Sequence, residues 1–275
     1  MKNKYIVLLA SLGAATLAGV LIAKRKNTHN YTKEVWQLFS LVDGASDKIF
    51  HYHQLEGLPE PVQRYFRHVL PDQYPYINTA RLTHVGQFKT GQNKAWSDIK
   101  GEQYFTVNPP GFVWRGQTAL FSATDKYVAD KGSLVVNLLS LVEILNIEGA
   151  SANQGELLRW LGESIWFPTN LLPHERLSWS PVDGNTATLN YEYDNLSLDY
   201  LVTFNDLGEI IRLETQRYIS EDKLETWVGE AFDYRAINGV KVPTQIRATW
   251  KLPEGDYTYA DFRLKQIEYN VDEPF

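Results

Sequence analysis

The sequence predicts an α+β protein: a curved antiparallel β-sheet, a half-barrel or open barrel, with helices packed on one face and an N-terminal transmembrane helix. Three observations predict it. An uncharged run opens the chain, two-residue hydrophobic periodicity dominates the rest, and turn signals recur about every 8–12 residues. The absence of a regular strand–helix–strand alternation argues against a parallel sheet.

Composition narrows the function classes. The chain has 275 residues, of which 44% are hydrophobic, so it can form a sizeable core. Its net charge of -6 disfavours nucleic acid as a partner, because that binding rests on clustered positive charge. Cysteine is absent, which excludes disulfides, thiolate metal sites and a cysteine nucleophile.

Residues 1–26 are predicted to be a membrane anchor. The uncharged run Tyr5–Ala23 spans roughly 28 Å as a helix, about the hydrocarbon thickness of a bilayer. Three basic residues follow it, which favours an uncleaved anchor over a signal peptide. We expect a single-pass protein of the cytoplasmic membrane with its main domain on the outer side. The small residues Ser11, Ala15 and Gly19 are spaced by four, a pattern that would allow helix dimerisation.

Residues 27–55 are predicted to be a tether. Within it, Tyr31–Val42 has apolar residues at helical spacing and includes Trp36. Such a segment is typical of an interfacial helix, which would lie either on the membrane surface or on the following domain.

Residues 56–275 are predicted to form a single α+β domain. Val62–Leu70 shows the spacing of an amphipathic helix. Two further helices are expected, an apolar one over Ser133–Asn146 and an amphipathic one over Asn153–Ile165. The expected strands include Arg81–Thr90, Ala95–Val107 and Phe112–Ala119, and further strands after Pro173.

One later strand has a clear pattern of alternation. Leu198, Tyr200, Val202 and Phe204 are spaced by two, so they should share one face of the sheet. That face must meet an apolar surface, either the predicted helices or a ligand held in a gap between sheet and helices. We therefore include Tyr200, Val202 and Phe204 among the candidate ligand-binding residues.

The segment Gln154–Pro168 carries the most chemistry. Glu156, Arg159 and Glu163 fall on one helix face. Such a stripe is usually a solvated, salt-bridged surface. If it turns towards the concave side of the sheet instead, it would lie in a cleft walled by Trp160 and Trp166.

Other site classes have little support. The chain contains no Gly-rich phosphate loop and no GxGxxG motif, so we expect no nucleotide cofactor. His51 and His53 could face the same side of a strand, but no carboxylates follow at the spacing of metal ligands. We expect no metal and assign no catalytic residue from the sequence.

Several motifs together resemble an uncharacterised bacterial family of membrane-anchored proteins, known only as a domain of unknown function. The resemblance covers about residues 56–270 and implies no activity. Its motifs are LPEPVQRYF from Leu58, QYFTVNPPGFVW from Gln103, GELLRWL from Gly155, WFPTNLL from Trp166 and WKLPEG from Trp250. A shorter motif, FDYRAINGVKVPT from Phe232, is similar to the late hairpin of lipoprotein-carrier-like half-barrels, a fold-level likeness only.

The leading hypothesis is a membrane-anchored domain that binds a lipid or another apolar ligand between its sheet and helices. A second hypothesis is a hydrolase or transferase that uses Glu156 or Glu163 as a general base, with Arg159 holding an anionic group. A third is a structural envelope protein without a ligand. The form of the sheet–helix interface discriminates among them: an apolar cavity, a cleft with a buried carboxylate, or a solid core.

Overall fold

The computed structural model describes residues 25–275 except residues 43, 45, 140 and 141. The predicted span Tyr5–Ala23 and its small residues Ser11, Ala15 and Gly19 lie outside the described residues. Across residues 25–42, 44, 46–139 and 142–275, no helix is both long and apolar enough to cross a membrane.

The described part of the chain contains α-helices over residues 25–40 (α1), Glu60–Val69 (α2) and Ala150–Glu163 (α3). Short 3-10 helices cover Tyr52–Leu55, Ser164–Trp166 and Pro168–Leu171. The α2 helix confirms the predicted amphipathic pattern, because Val62, Tyr65, Phe66 and Val69 are all buried.

The strands β1 (Ile49–Phe50) and β2 (Tyr74–Pro75) form a small ladder. Thirteen further strands of the described residues form one large sheet. These are β3 (Thr79–Phe88), β4 (Ser97–Thr106), β5 (Gly111–Gln117), β6 (Phe121–Val128), β7 (Lys131–Leu138), β8 (Val142–Glu148), β9 (Leu177–Pro181), β10 (Thr186–Tyr193), β11 (Leu196–Phe204), β12 (Ile210–Ser220), β13 (Lys223–Ile237), β14 (Val240–Leu252) and β15 (Gly255–Tyr269).

The large sheet is made of two antiparallel meanders. Strands β3 to β8 form the first meander and β9 to β15 the second, and α3 with its following 3-10 turns connects them. The last strand, β15, pairs with the first, β3, so the two meanders become one sheet whose edges are β8 and β9. Every pairing is antiparallel, as the turn spacing predicted.

The sheet curls around α3. Seven strands separate β7 from β12, so the two would lie about 38 Å apart in a flat sheet. One helix, only about 10 Å wide, nevertheless contacts both of them. This confirms the predicted curved antiparallel sheet. The main core lies on its concave face, where α2, α3 and the 3-10 turns pack on alternate strand residues.

The expectation that helices cover one face holds for α2 and α3 but is wrong for α1. Tyr31, Val35 and Leu38 of α1 are buried against Tyr104 and Val113. Those two residues alternate with Phe105 and Phe112, which belong to the concave core, so α1 lies on the convex face. Strands β4 and β5 are apolar on both faces, which is why a second layer can form there.

The helix predicted over Ser133–Asn146 is also wrong, since this segment forms β7 and the first part of β8. Its apolar residues run almost without interruption, and such a run satisfies helical and strand spacing equally well. The β-branched pair Val135 and Val136 fits a pleated strand. The turn at Ala129 and Asp130, both with positive φ, starts β7 as the partner of β6.

Candidate functional site

The charged face of α3 turns towards the concave sheet. Arg159 lies at the centre of the group: its Nη1 donates to Asp125 Oδ2 on β6, and its Nε donates to Glu163 Oε1 at 3.0 Å. Glu163 Oε2 accepts a further hydrogen bond of 2.6 Å from Gln103 Nε2 on β4. Both oxygens of Glu163 are therefore occupied by neighbouring side chains.

One turn earlier in α3, Glu156 forms a second ion pair. Its Oε1 accepts a hydrogen bond of 3.2 Å from Nη2 of Arg217 on β12. Its carboxyl group also shares a hydrogen bond with Asp125. We call Asp125, Glu156, Arg159, Glu163 and Arg217 the charged floor.

The charged floor is shielded from water without being sealed. Its five side chains keep between 9% and 15% of their exposure. Burial raises the pKa of Glu156 well above its usual range, and the neighbouring Asp125 carboxylate raises it further. Burial also raises the pKa of Glu163, although Arg159 and Gln103 oppose the shift.

Three buried polar atoms of the charged floor lack a hydrogen-bond partner. They are Asp125 Oδ1, Glu156 Oε2 and Arg217 Nε. A proton on Glu156 can satisfy one of the two carboxylate oxygens, which agrees with its raised pKa. With Glu156 neutral, the two remaining carboxylates balance the two guanidinium groups. Unsatisfied buried polar atoms are uncommon and concentrate at functional sites.

Large aromatic rings surround the charged floor on the concave face; we call them the aromatic wall. The wall consists of Phe88, Trp114, Trp227, Trp250 and Tyr259. The Trp227 indole N–H donates to the Tyr259 hydroxyl at 2.9 Å, and Trp250 stacks on Tyr259. Phe88, Trp227 and Tyr259 are only partly buried, so the wall is open to solvent.

Cation–π contacts join the wall to the floor. The guanidinium of Arg159 lies 4.9 Å from the centre of the Trp114 ring, and that of Arg217 lies 5.9 Å from Trp227. These contacts hold both guanidinium groups against ring faces. The rings therefore present apolar surface at the mouth and cationic groups immediately behind it.

Behind Trp114 lies a neutral histidine. The Trp114 indole N–H donates to His84 Nε2 at 2.8 Å, and burial lowers the pKa of His84 to about 3, with Arg159 adding to the effect. A Cβ at Gly101 would lie 1.8 Å from this imidazole. Only glycine at position 101 leaves room for His84, which positions Trp114 in the wall.

The sequence-predicted site residues separate into two groups. Glu156, Arg159 and Glu163 meet in the charged floor, and their sheet partners Gln103, Asp125 and Arg217 were missed. The others lie in the solid core: Trp160, Trp166, Tyr200, Val202 and Phe204. The alternation in β12 of Leu213 and Thr215 with polar neighbours is a signal that could have assigned Arg217 to the inner face.

The core group is closely packed. The Tyr200 hydroxyl donates to the Leu158 carbonyl at 2.9 Å, and a Cβ at Gly162 would lie 2.9 Å from that hydroxyl. Trp160 and Trp166 spend their indole N–H groups on the backbone carbonyls of Thr106 and Pro243. Helix α3 therefore rests directly on the sheet at these residues.

Other features of the described residues offer less chemistry. No group of three or more His, Asp or Glu side chains among them could hold a metal ion. The rings of His51 and His53 stack with their centres 5.4 Å apart. A surface depression of about 420 Å³ lies between the β6–β7 and β10–β11 turns, and a groove of about 660 Å³ runs beside Gln87, Lys100 and Gln117.

The raised pKa of Glu156 predicts a pH-dependent stability. A carboxyl whose pKa is raised by folding stabilises the native state fully below its unfolded pKa of about 4.5, and that contribution is lost as pH rises through the native pKa. Glu156→Gln should therefore equal the parent near pH 4.5 and exceed it increasingly at higher pH. The gain has an upper limit of about 1.4 kcal/mol per pH unit.

Urea unfolding at a series of pH values measures this gain. Glu175→Gln is the matched control, because the Glu175 side chain is 80% exposed, and it should leave the profile unchanged. A Glu156→Gln variant that is less stable than the parent at pH 8 would contradict a protonated Glu156.

Comparisons with known proteins add a family. No curated protein has a sequence that matches this chain. Among solved structures, a LolA superfamily protein from Nitrosomonas europaea is similar, with 11% sequence identity and a TM-score of 0.44 over 77% of this chain and 92% of that one. Residues 48–262, more than half of the chain, match a family of unknown function, DUF6544. This match confirms the resemblance found in the motifs: the chain belongs to the DUF6544 family.

Proposed function

We propose that the domain binds a lipid or another apolar ligand on its concave face, with the apolar part against the aromatic wall and a polar end at the charged floor. The observation that carries the proposal is the partial exposure of Phe88, Trp227 and Tyr259 on an inward-facing surface. Large rings on an inner face are ordinarily covered by protein, and here they line an opening.

The apolar surface extends beyond the rings. Strand register places Ala123 of β6 beside Gly116 of β5, and Val136 of β7 beside Ala123. Leu134 and Leu138 of β7 share this inner face and are only partly buried. A ligand several methylenes long would thus find continuous apolar surface from the aromatic wall to the β8 edge. Each buried CH₂ group contributes about 0.8 kcal/mol.

A dye-binding experiment tests this proposal. The purified protein should bind a naphthalene dye or a fluorescent fatty acid saturably. Trp227→Ala should weaken that binding about tenfold, since truncating an aromatic anchor of a binding site commonly costs 1–2 kcal/mol. Trp36→Ala is the matched control, because Trp36 is 52% exposed on the convex-face helix, and it should bind like the parent.

The melting temperature of each variant separates lost binding from lost folding. A folded parent protein that binds no such dye would overturn the proposal and favour the third hypothesis, a structural envelope protein without a ligand.

A specific observation favours a second candidate, a hydrolase or transferase. Glu156 Oε2 is buried, lacks a hydrogen-bond partner and belongs to a carboxyl with a raised pKa, as a general acid or base requires. Both oxygens of Glu163 are occupied, so Glu156 is the better base of the two, and Arg159 would hold an anionic group. Under this candidate, Glu156→Gln would keep dye binding and abolish turnover of a fluorogenic acyl ester.

We further propose that the domain is held at the cytoplasmic membrane, on its outer side, by a helix over Tyr5–Ala23, with dimerisation of that helix through Ser11, Ala15 and Gly19. The uncharged run and its basic flanks support this. The full chain should stay with membranes through an alkaline carbonate wash. A mature chain that begins after Ala23 would instead indicate a cleaved signal peptide.

A further inference from the structure

One end of the large sheet exposes apolar side chains to water. Leu120 lies in the β5–β6 turn, and Leu139 and Val142 flank the β7–β8 turn; their exposed fractions are 56%, 47% and 56%. The backbone N–H of Leu139 donates to the Leu120 carbonyl at 2.7 Å, which joins the two turns. Exposed apolar residues on a protein surface are normally scattered singly, so adjacent ones indicate a contact surface.

The β3–β4 loop lies at the same end, because alternate turns of a meander fall on one side of the sheet. It contributes Trp96, which is 37% exposed, and the Lys89 ammonium lies 4.6 Å from the centre of the Trp96 ring. Lys94 in the same loop is also exposed. Trp and Lys next to apolar tips form the pattern found where proteins meet the headgroup layer of a bilayer.

Helix α1 directs the chain's N-terminal segment to this end. Its Leu38 lies beside Gly111 at the far end of β5, while the Tyr31 hydroxyl donates to the Glu102 carbonyl nearer the middle of β4. Six further residues at 1.5 Å each bring residue 25 to about the level of the β5–β6 turn. Arg25 is exposed there, and the uncharged run Tyr5–Ala23 precedes it in the sequence.

We propose that this end of the first meander docks onto the surface of an anionic lipid bilayer. We call it the docking rim; it consists of Trp96, Leu120, Leu139 and Val142. The turns of the second meander at the same end carry acidic residues, Glu221, Asp222 and Glu254, which would be repelled by anionic headgroups. The contact is therefore confined to the first meander, and it sets the apolar inner faces of β6 and β7 next to lipid.

A labelling experiment tests the docking rim on the full chain. The protein has no cysteine, so Leu120→Cys and Val142→Cys each give a single site for an environment-sensitive fluorophore. The control is Leu207→Cys, because Leu207 is 64% exposed in the β11–β12 turn at the opposite end of the sheet. Each labelled protein is mixed with vesicles of phosphatidylcholine and phosphatidylglycerol that carry a nitroxide-labelled lipid.

We expect a blue-shifted emission and several-fold stronger nitroxide quenching at positions 120 and 142 than at 207. Leu120→Asp should abolish quenching at position 142, and vesicles of phosphatidylcholine alone should weaken it. Equal, weak quenching at all three positions would overturn the proposal, even if Tyr5–Ala23 holds the chain in the vesicles. A label at 142 that is shielded from water but not quenched would indicate self-association of the rim and would also overturn it.

Discussion

Replacement of Arg159 by Leu should lower the free energy of unfolding by about 3–5 kcal/mol. The substitution removes the guanidinium group that pairs with Asp125 and Glu163, whose side chains are only 10% and 15% exposed. Two carboxylates would then be left poorly solvated and without their cation. Urea denaturation at pH 7 measures the change. A loss below about 1 kcal/mol would mean that water replaces the guanidinium group, so that the floor is more open than its burial indicates.

Two further variants sharpen this test. Arg176→Leu is the control, because Arg176 pairs with Glu175 on the surface, where the side chains are 43% and 80% exposed; it should change stability by less than about 0.5 kcal/mol. Neutralising the partners as well, with Asp125→Asn and Glu163→Gln added to Arg159→Leu, should recover part of the loss. Removing a whole buried ionic group is less costly than removing one member of it.

Gly86→Ala should cost about 3 kcal/mol and could prevent folding at elevated temperature. A Cβ at this position would lie 2.1 Å from the carbonyl oxygen of Asp261 and 2.9 Å from the Cα of Phe262. Both are backbone atoms of β15, so no side-chain rotation relieves the overlap. Because β3 and β15 join the two meanders, the strain falls on the seam of the sheet.

Thermal denaturation followed by circular dichroism measures this effect. Gly184→Ala is the matched control, since a Cβ there meets nothing within 4 Å and the backbone has no positive φ. It should melt like the parent. A Gly86→Ala protein with the parent's melting temperature would show that β15 can shift away from β3 without loss of pairing.

Several elements could be predicted because their signal is local. The α2 helix has apolar residues on one side and polar residues on the other, so Val62, Tyr65, Phe66 and Val69 were correctly assigned to a buried face. The alternation in β11 assigned Tyr200 and its neighbours to one buried face for the same reason. The segment 133–146 has no such contrast, and its assignment depended on pairing with β6, which is not a local property.

The candidate site shows the same division. The positions of Glu156, Arg159 and Glu163 on one helix face follow from helical spacing. Whether that face meets water or the sheet does not, because a charged stripe satisfies either environment if partners are supplied. The partners Asp125 and Arg217 lie 34 residues before and 58 residues after Arg159 in the chain, on strands near opposite edges of the sheet.

The sequence by itself determined the antiparallel pattern of the later strands, the amphipathic helices, the family and the uncharged run at the N-terminus, since each depends on residue types at short spacing. Only the tertiary structure decided that the sheet curls around α3, that α1 covers the convex face and that the rings of Trp227 and Tyr259 line an opening while Trp160 and Trp166 fill the core. The physical reason is that burial depends on which surfaces meet. Strands far apart in sequence are brought together by sheet curvature, and that curvature is a property of the whole sheet.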